Sequence, residues 1–179
     1  MNKEFAQDYY RMTGVKYHFG IQSVVLCAFS HQIRYMCWWR RGKKRGNLFY
    51  RIVLKRYAMK YGLEISLKAE IGKGLYLGHP YNITVGDGVK IGDNVNLHKG
   101  CTIWRENRGK REGVPQIGHQ VSIGINATVV GNVKIGNDVM IAPNSFVNFD
   151  VPSHSVVVGN PGVIHPKGHA TQKYVGFCV

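Results

Sequence analysis

A chain of 179 residues can form one well-buried domain and leaves little room for a second independent core. Its 24 Lys and Arg against 10 Asp and Glu give a formal net charge of +14, which points to an anionic partner or surface. Nucleic acid is set aside because no helix-turn-helix, zinc-finger or aromatic RNA-binding signature is present, and no stretch reaches the roughly 20 apolar residues that span a bilayer.

The four cysteines, Cys27, Cys37, Cys101 and Cys178, have neither metal-type spacing nor disulfide-rich density, and read as incidental or buried thiols of a reducing compartment. The opening stretch MNKEFAQDYYRMTG is polar, without an apolar run or a small-residue cleavage site, so the expectation is a cytoplasmic protein. Residues 1–62 read as an N-terminal helical segment. From about Phe19 to Trp39 the chain is apolar and free of Pro, and Ile21, Val25 and Phe29 recur at helical spacing. The cationic run RRGKKRGN, split by Gly42 and ended by Gly46, reads as a loop or helix break. A second helix carrying Leu48 and Ile52 is expected to end near Gly62. These helices suit a cap on the open end of a stacked repeat domain. They also suit a peripheral anchor on an anionic membrane, because Trp38 and Trp39 adjoin Arg40, Arg41, Lys43, Lys44 and Arg45.

From Leu63 onward an aliphatic residue returns every sixth position: Ile65, Ile71 and Leu77, then Val85, Ile91, Leu97 and Ile103, then Ile117, Ile123, Val129, Ile135, Ile141 and Val147. Gly follows many of these, and a small or apolar residue such as Val89, Val95, Ala127, Val133 or Val139 stands four places later. Neither a helix of 3.6 residues per turn nor a simple alternating strand keeps a six-residue spacing on one face. Short strands joined by tight corners and stacked about 4.8 Å apart do. The repeat fails after Ile103, where residues 104–116 form a charged loop, and again in the tail at 167–179. The domain is therefore placed at 63–166.

The words LEISLKAEIGKGLYLGHP, VNLHKGCTI, PQIGHQVSIGINATVVGNVKIGNDVMIAPNSFV and VPSHSVVVGNPG resemble the hexapeptide-repeat acyltransferases. The resemblance is to the serine acetyltransferase-like branch, and within it to the bacterial capsular and exopolysaccharide O-acetyltransferases. It implies a mainly β fold, a left-handed parallel β-helix of triangular section, assembled as a homotrimer. It also implies acetyl-CoA as acetyl donor and no metal.

The same resemblance places Glu64 on the family's acidic partner and His79 on its general base, fifteen residues apart. Neutral imidazole can take the proton of an attacking hydroxyl, and a carboxylate orients the ring and stabilises the imidazolium. Gly124, Ile125, Ala142 and Pro143 are expected to line the pantetheine arm, with Lys134 and Lys167 on the nucleotide phosphates. His98 is a candidate neighbour of the site. In the loop, Trp104 is expected over the acetyl arm or acceptor, and Arg105, Arg108 and Arg111 over an anionic acceptor. His31 lies in the helical segment, and His119 and His154 read as corner residues.

Serine-specific members carry Asp before the general base, where this chain has Gly78, and an Arg-His pair where it has Gly113 and Val114. These departures favour a glycan hydroxyl as acceptor. The alternatives are serine O-acetylation and a non-catalytic solenoid that binds a partner.

Overall fold

The computed structural model describes residues 3–179. Three parallel sheets form the faces of a triangular prism, and the chain passes from one to the next in turn. Strands β1 (Glu64–Ile65), β4 (Thr84–Val85), β7 (Thr102–Trp104), β10 (Thr128–Val130) and β13 (Phe146–Val147) make the first face. The second holds β2 (Glu70–Ile71), β5 (Lys90–Ile91), β8 (Gln116–Ile117) and β11 (Lys134–Ile135). The third holds β3 (Tyr76–Gly78), β6 (Asn96–His98), β9 (Ser122–Ile123), β12 (Val139–Ile141), β14 (Ser155–Val158) and β15 (Val163–Pro166), the last pairing antiparallel. The expected parallel β-helix is therefore present, with about five coils.

The six-residue period is a consequence of this geometry. Each beat residue points into the prism and stacks on the beat of the next coil: Ile65 on Val85, Val85 on Ile103, Ile103 on Val129 and Val129 on Val147. All of these are buried. Burying each such side chain stabilises the fold by about 1.5–3 kcal/mol. The residue four places on lies behind a corner, and Cys101 occupies one such position, where complete burial pushes its thiol up to about 12. Polar corner residues take the left-handed backbone that the turns require, including Asn82, Asn94, Asn126 and Asn144.

The N-terminal segment is four helices: α1 (Lys3–Thr13), α2 (Ile21–Phe29), α3 (His31–Arg45) and α4 (Leu48–Tyr61). The second expected helix is found as α4, capped by the Asn47 side chain and closed by Gly62 at φ 66. The expected single helix from Phe19 to Trp39 is instead two, parted at Ser30, whose backbone is extended. The cationic run is no break: α3 continues through buried Gly42 to Arg45 and stops at Gly46, with φ 64.

The side chains proposed from sequence as a membrane face are partly core. Trp39 is fully buried, and its indole N–H donates to the Ile65 carbonyl at 3.0 Å. The guanidinium of Arg40 is also buried; it pairs with Asp8 at 2.7 Å and donates to the carbonyls of Ile71 and Gly72. Asp8 in turn accepts the Leu75 N–H at 2.9 Å. These bonds hold α1 and α3 against the first coil of the prism.

Residues 167–179 run back along the prism. Asp138 accepts the backbone N–H groups of Ala170 and Thr171 and the Thr171 hydroxyl. Farther on, Asn96 donates to the Tyr174 carbonyl and Asn94 to that of Val179. Arg11 of α1 meets the same tail at the Gly176 carbonyl.

Candidate active site

Glu64 and His79 flank the same edge of the prism. Strand β3 ends at Gly78 and β4 begins at Thr84, so the residues between them turn the corner from the third face to the first. His79 opens that corner at φ 49, and its carbonyl accepts the Tyr81 N–H at 2.8 Å. Glu64 is the register partner of Thr84, one coil back, just beyond the corner. The fifteen-residue separation thus returns the chain to its own edge. Both side chains are exposed, and among the described residues no hydrogen bond joins the carboxylate to the imidazole. The positive φ of His79 is a property of corners in general, since Asn82, Gln120 and His154 share it.

His98 stands one coil below. Its register partner is Gly78, and the imidazole fills the space where a side chain at position 78 would lie. Burial, and then the neighbouring imidazole of His79, hold its pKa below the ordinary histidine range. The edge therefore carries two imidazoles.

The expected pantetheine residues continue down this edge. Asn126 N–H donates to the Lys99 carbonyl, and Asn144 N–H to that of Ile125, so the corners at 98–100, 124–126 and 142–144 stack in order. A Cβ built at Gly124 would lie 2.7 Å from both the Ile141 carbonyl oxygen and the Pro143 nitrogen, so the backbone is packed too closely there for any side chain. Ile125 and Pro143 are exposed and Ala142 is half-buried.

Other expected site residues lie elsewhere on the chain. Lys134 starts β11 on the second face, with its N–H on Asp150 at 2.9 Å. Lys167 comes directly after β15, and its N–H donates to the His154 carbonyl. The charged loop folds onto its own body: Glu106 and Gly113 exchange backbone hydrogen bonds, Arg105 pairs with Glu112 at 3.7 Å, and Arg111 pairs with Asp150 at 3.2 Å. Arg108 is exposed. Trp104 ends β7, packs over Gly86 and lines a cleft of about 560 Å³ with Glu64, Lys43, Arg51, Lys55 and Lys68. His79 and His98 are outside that cleft's lining, so Glu64 is the residue common to cleft and edge. Among the described residues no group of three His, Cys, Asp or Glu is arranged to hold a metal ion.

Sequence reasoning missed the support beneath the corner. His31, the first residue of α3, stacks on Tyr61 at 4.5 Å between ring centroids and meets Tyr81 at 5.1 Å. Burial lowers its pKa. Likewise the buried Tyr35 hydroxyl accepts the Ile65 N–H at 3.1 Å beside Glu64. Helical spacing marks neither residue, because their partners come from another element.

Residues 115–148 match the family model described as bacterial transferase hexapeptide (six repeats). A serine acetyltransferase of Staphylococcus aureus is 45% identical over 105 residues, which are 58% of this chain and 48% of that protein. The chain thus spans about half the length of that curated relative. Among solved structures, the soybean serine acetyltransferase apoenzyme is 27% identical with a TM-score of 0.70, over 90% of this chain and 66% of that one. A serine acetyltransferase from Brucella abortus in complex with coenzyme A is 28% identical with a TM-score of 0.66, over 77% of this chain and 56% of that one.

These relatives correct the expected acceptor: they are named for serine, where the sequence departures had favoured a polysaccharide. The structure explains why the departures misled. Gly78 leaves room for His98, and Gly113, at φ 132, would place a Cβ 2.9 Å from that of Asn132. Both glycines answer to local packing. The matched repeat at 115–148, the three-faced prism and its agreement with these structures give the chain the hexapeptide-repeat β-helix fold of these relatives.

Proposed function

We propose that this chain is an acetyl-CoA-dependent serine O-acetyltransferase working as a trimer, with His79 as general base and Glu64 as its orienting carboxylate. The observation that carries the reading is the single prism edge on which Glu64, His79, His98 and the close-packed corner at Gly124 succeed one another. Relatives named serine acetyltransferase support serine as acceptor, and neighbours solved with coenzyme A support the donor.

Acetyl-CoA lies along the corners at Gly124–Ile125 and Ala142–Pro143, its thioester toward His79. The serine hydroxyl attacks the thioester carbon while its proton passes to the His79 imidazole. Glu64 on the same edge stabilises the imidazolium that forms. The tetrahedral oxyanion then collapses, the carbon–sulfur bond breaks, and the departing thiolate recovers the proton from His79. His98, held neutral by burial, can offer a hydrogen bond to the acceptor without adding positive charge beside the base.

Thiol release from acetyl-CoA with L-serine tests the reading. His79→Ala is expected to lower turnover by about 10²- to 10⁴-fold while the fold persists. Absence of serine-dependent thiol release from the folded wild-type trimer would sink it.

A further inference from the structure

From Tyr9 to Leu63 the sequence contains twelve Lys and Arg and not one Asp or Glu. Some of these cations build the fold, as Arg40 does with Asp8, and Arg34 and Lys43 do with backbone carbonyls. Arg41, Lys44, Arg51, Lys55 and Arg56 are instead exposed. Apolar side chains are exposed alongside them. Phe19, Ile21 and Phe29 are 92%, 85% and 87% exposed, and Val25 continues the stripe of α2 at helical spacing. On α4, Leu48, Ile52 and Met59 form a second exposed stripe, with Arg51, Lys55 and Arg56 along it. Arg34 of α3 ties the two helices to a common support, its side chain reaching both the Cys27 carbonyl at the end of α2 and the Tyr57 hydroxyl on α4.

We propose that α2 and the outer stripe of α4 are a docking face for an anionic phospholipid leaflet. Exposed apolar stripes of this kind mark interaction surfaces, and the charge decides among occupants. A second copy meeting this face through its own would bring cations against cations with no carboxylate in either segment to relieve them. Nucleic acid would answer the cations and leave Phe19, Ile21 and Phe29 in water. An anionic leaflet answers both, with phosphates on the Lys and Arg and the acyl boundary under the apolar stripe. No helix of the described residues is long and apolar enough to cross a membrane, so the face lies on the leaflet. Each cation near such a surface raises partitioning about fivefold at low salt.

The test is sedimentation of the full chain with vesicles at low salt, without substrate, so that it does not depend on the proposed activity. Vesicles of phosphatidylglycerol and phosphatidylcholine at 3:7 are expected to carry the protein down, and added salt to release it. Pure phosphatidylcholine is expected to leave it in solution. Replacing Arg51, Lys55 and Arg56 together by Gln should weaken binding roughly a hundredfold. Replacing Ile21, Val25 and Phe29 together by Ser should weaken it while leaving the oligomer unchanged. No binding by the wild type to the anionic vesicles, or equal binding to the neutral ones, overturns the proposal whatever the variants do. So would capture of a duplex oligonucleotide without vesicle binding, or loss of the oligomer in the Ser variant, which would assign the face to nucleic acid or to a second copy.

Discussion

The His98 imidazole occupies the place of a side chain at position 78. His98 and Gly78 are register partners in adjacent coils, and a Cβ on Gly78 would collide with His98 Nδ1. Gly78→Asp should therefore destabilise the chain by about 1–3 kcal/mol through overpacking. Pairing it with His98→Ala should return most of that loss. Thermal unfolding of the two single variants and the double variant measures the coupling.

Acid should destabilise the fold through His98 and His31. Burial lowers both pKa values, with the His79 imidazole adding to the effect at His98. The unfolded chain then binds more protons than the folded one. Stability is full above the unfolded imidazole value near 6.5 and falls as pH drops below it toward the lowered folded values. His98→Gln should flatten this slope in denaturant titrations repeated across pH 5 to 8.

Asp138 fastens the tail and should release it in stronger acid. Burial alone would raise its carboxyl, but bonds from Thr171, His154 and Ala170 outweigh that and bring it down to about 2. Its stabilising contribution is present above the unfolded value near 3.9 and is lost as pH falls toward 2. At neutral pH, Asp138→Asn should cost about 1.5–3 kcal/mol, the scale of a hydrogen bond to a charged group. Faster hydrogen exchange at Ala170 and Thr171 would report the detachment.

Breaking the buried Asp8–Arg40 pair should unseat the cap. Both side chains are almost fully buried, at 0% and 2% exposure. Asp8→Ala removes the buried partner of the guanidinium, leaving it Glu4 at 3.6 Å and the Ile71 and Gly72 carbonyls, and is expected to cost about 3 kcal/mol. A fall in the unfolding midpoint, with loss of the ordered Trp39 environment by fluorescence, is the expected signature.

Thiol reactivity should separate the cysteines by burial. Cys178 is exposed, while Cys101 is fully buried with its thiol pushed up to about 12. Cys178 should react first with a maleimide in the native protein, and Cys101 only on unfolding. Mass spectrometry of partly labelled peptides reads the order.

The prism was legible in the sequence because its core repeats: every beat residue from Ile65 to Val147 meets an equivalent residue one coil away, so local spacing and tertiary stacking carry the same information. The Glu64–His79 edge was legible for the same reason, once fifteen residues were seen to bring the chain back to the same edge. The helical segment obeys no such rule. Whether Trp39 and Arg40 faced lipid or core depended on where the Ile65 carbonyl and Asp8 lay, and nothing in the local pattern of α3 could say. The ring contacts of His31 with Tyr61 and Tyr81, the return of the tail to Asn94 and Asn96, and the collision that forbids a side chain at Gly78 are likewise long-range. Repetition determines the coil from sequence alone, whereas capping, docking and the shape of the site rest on pairings between distant residues, which only the folded chain brings together.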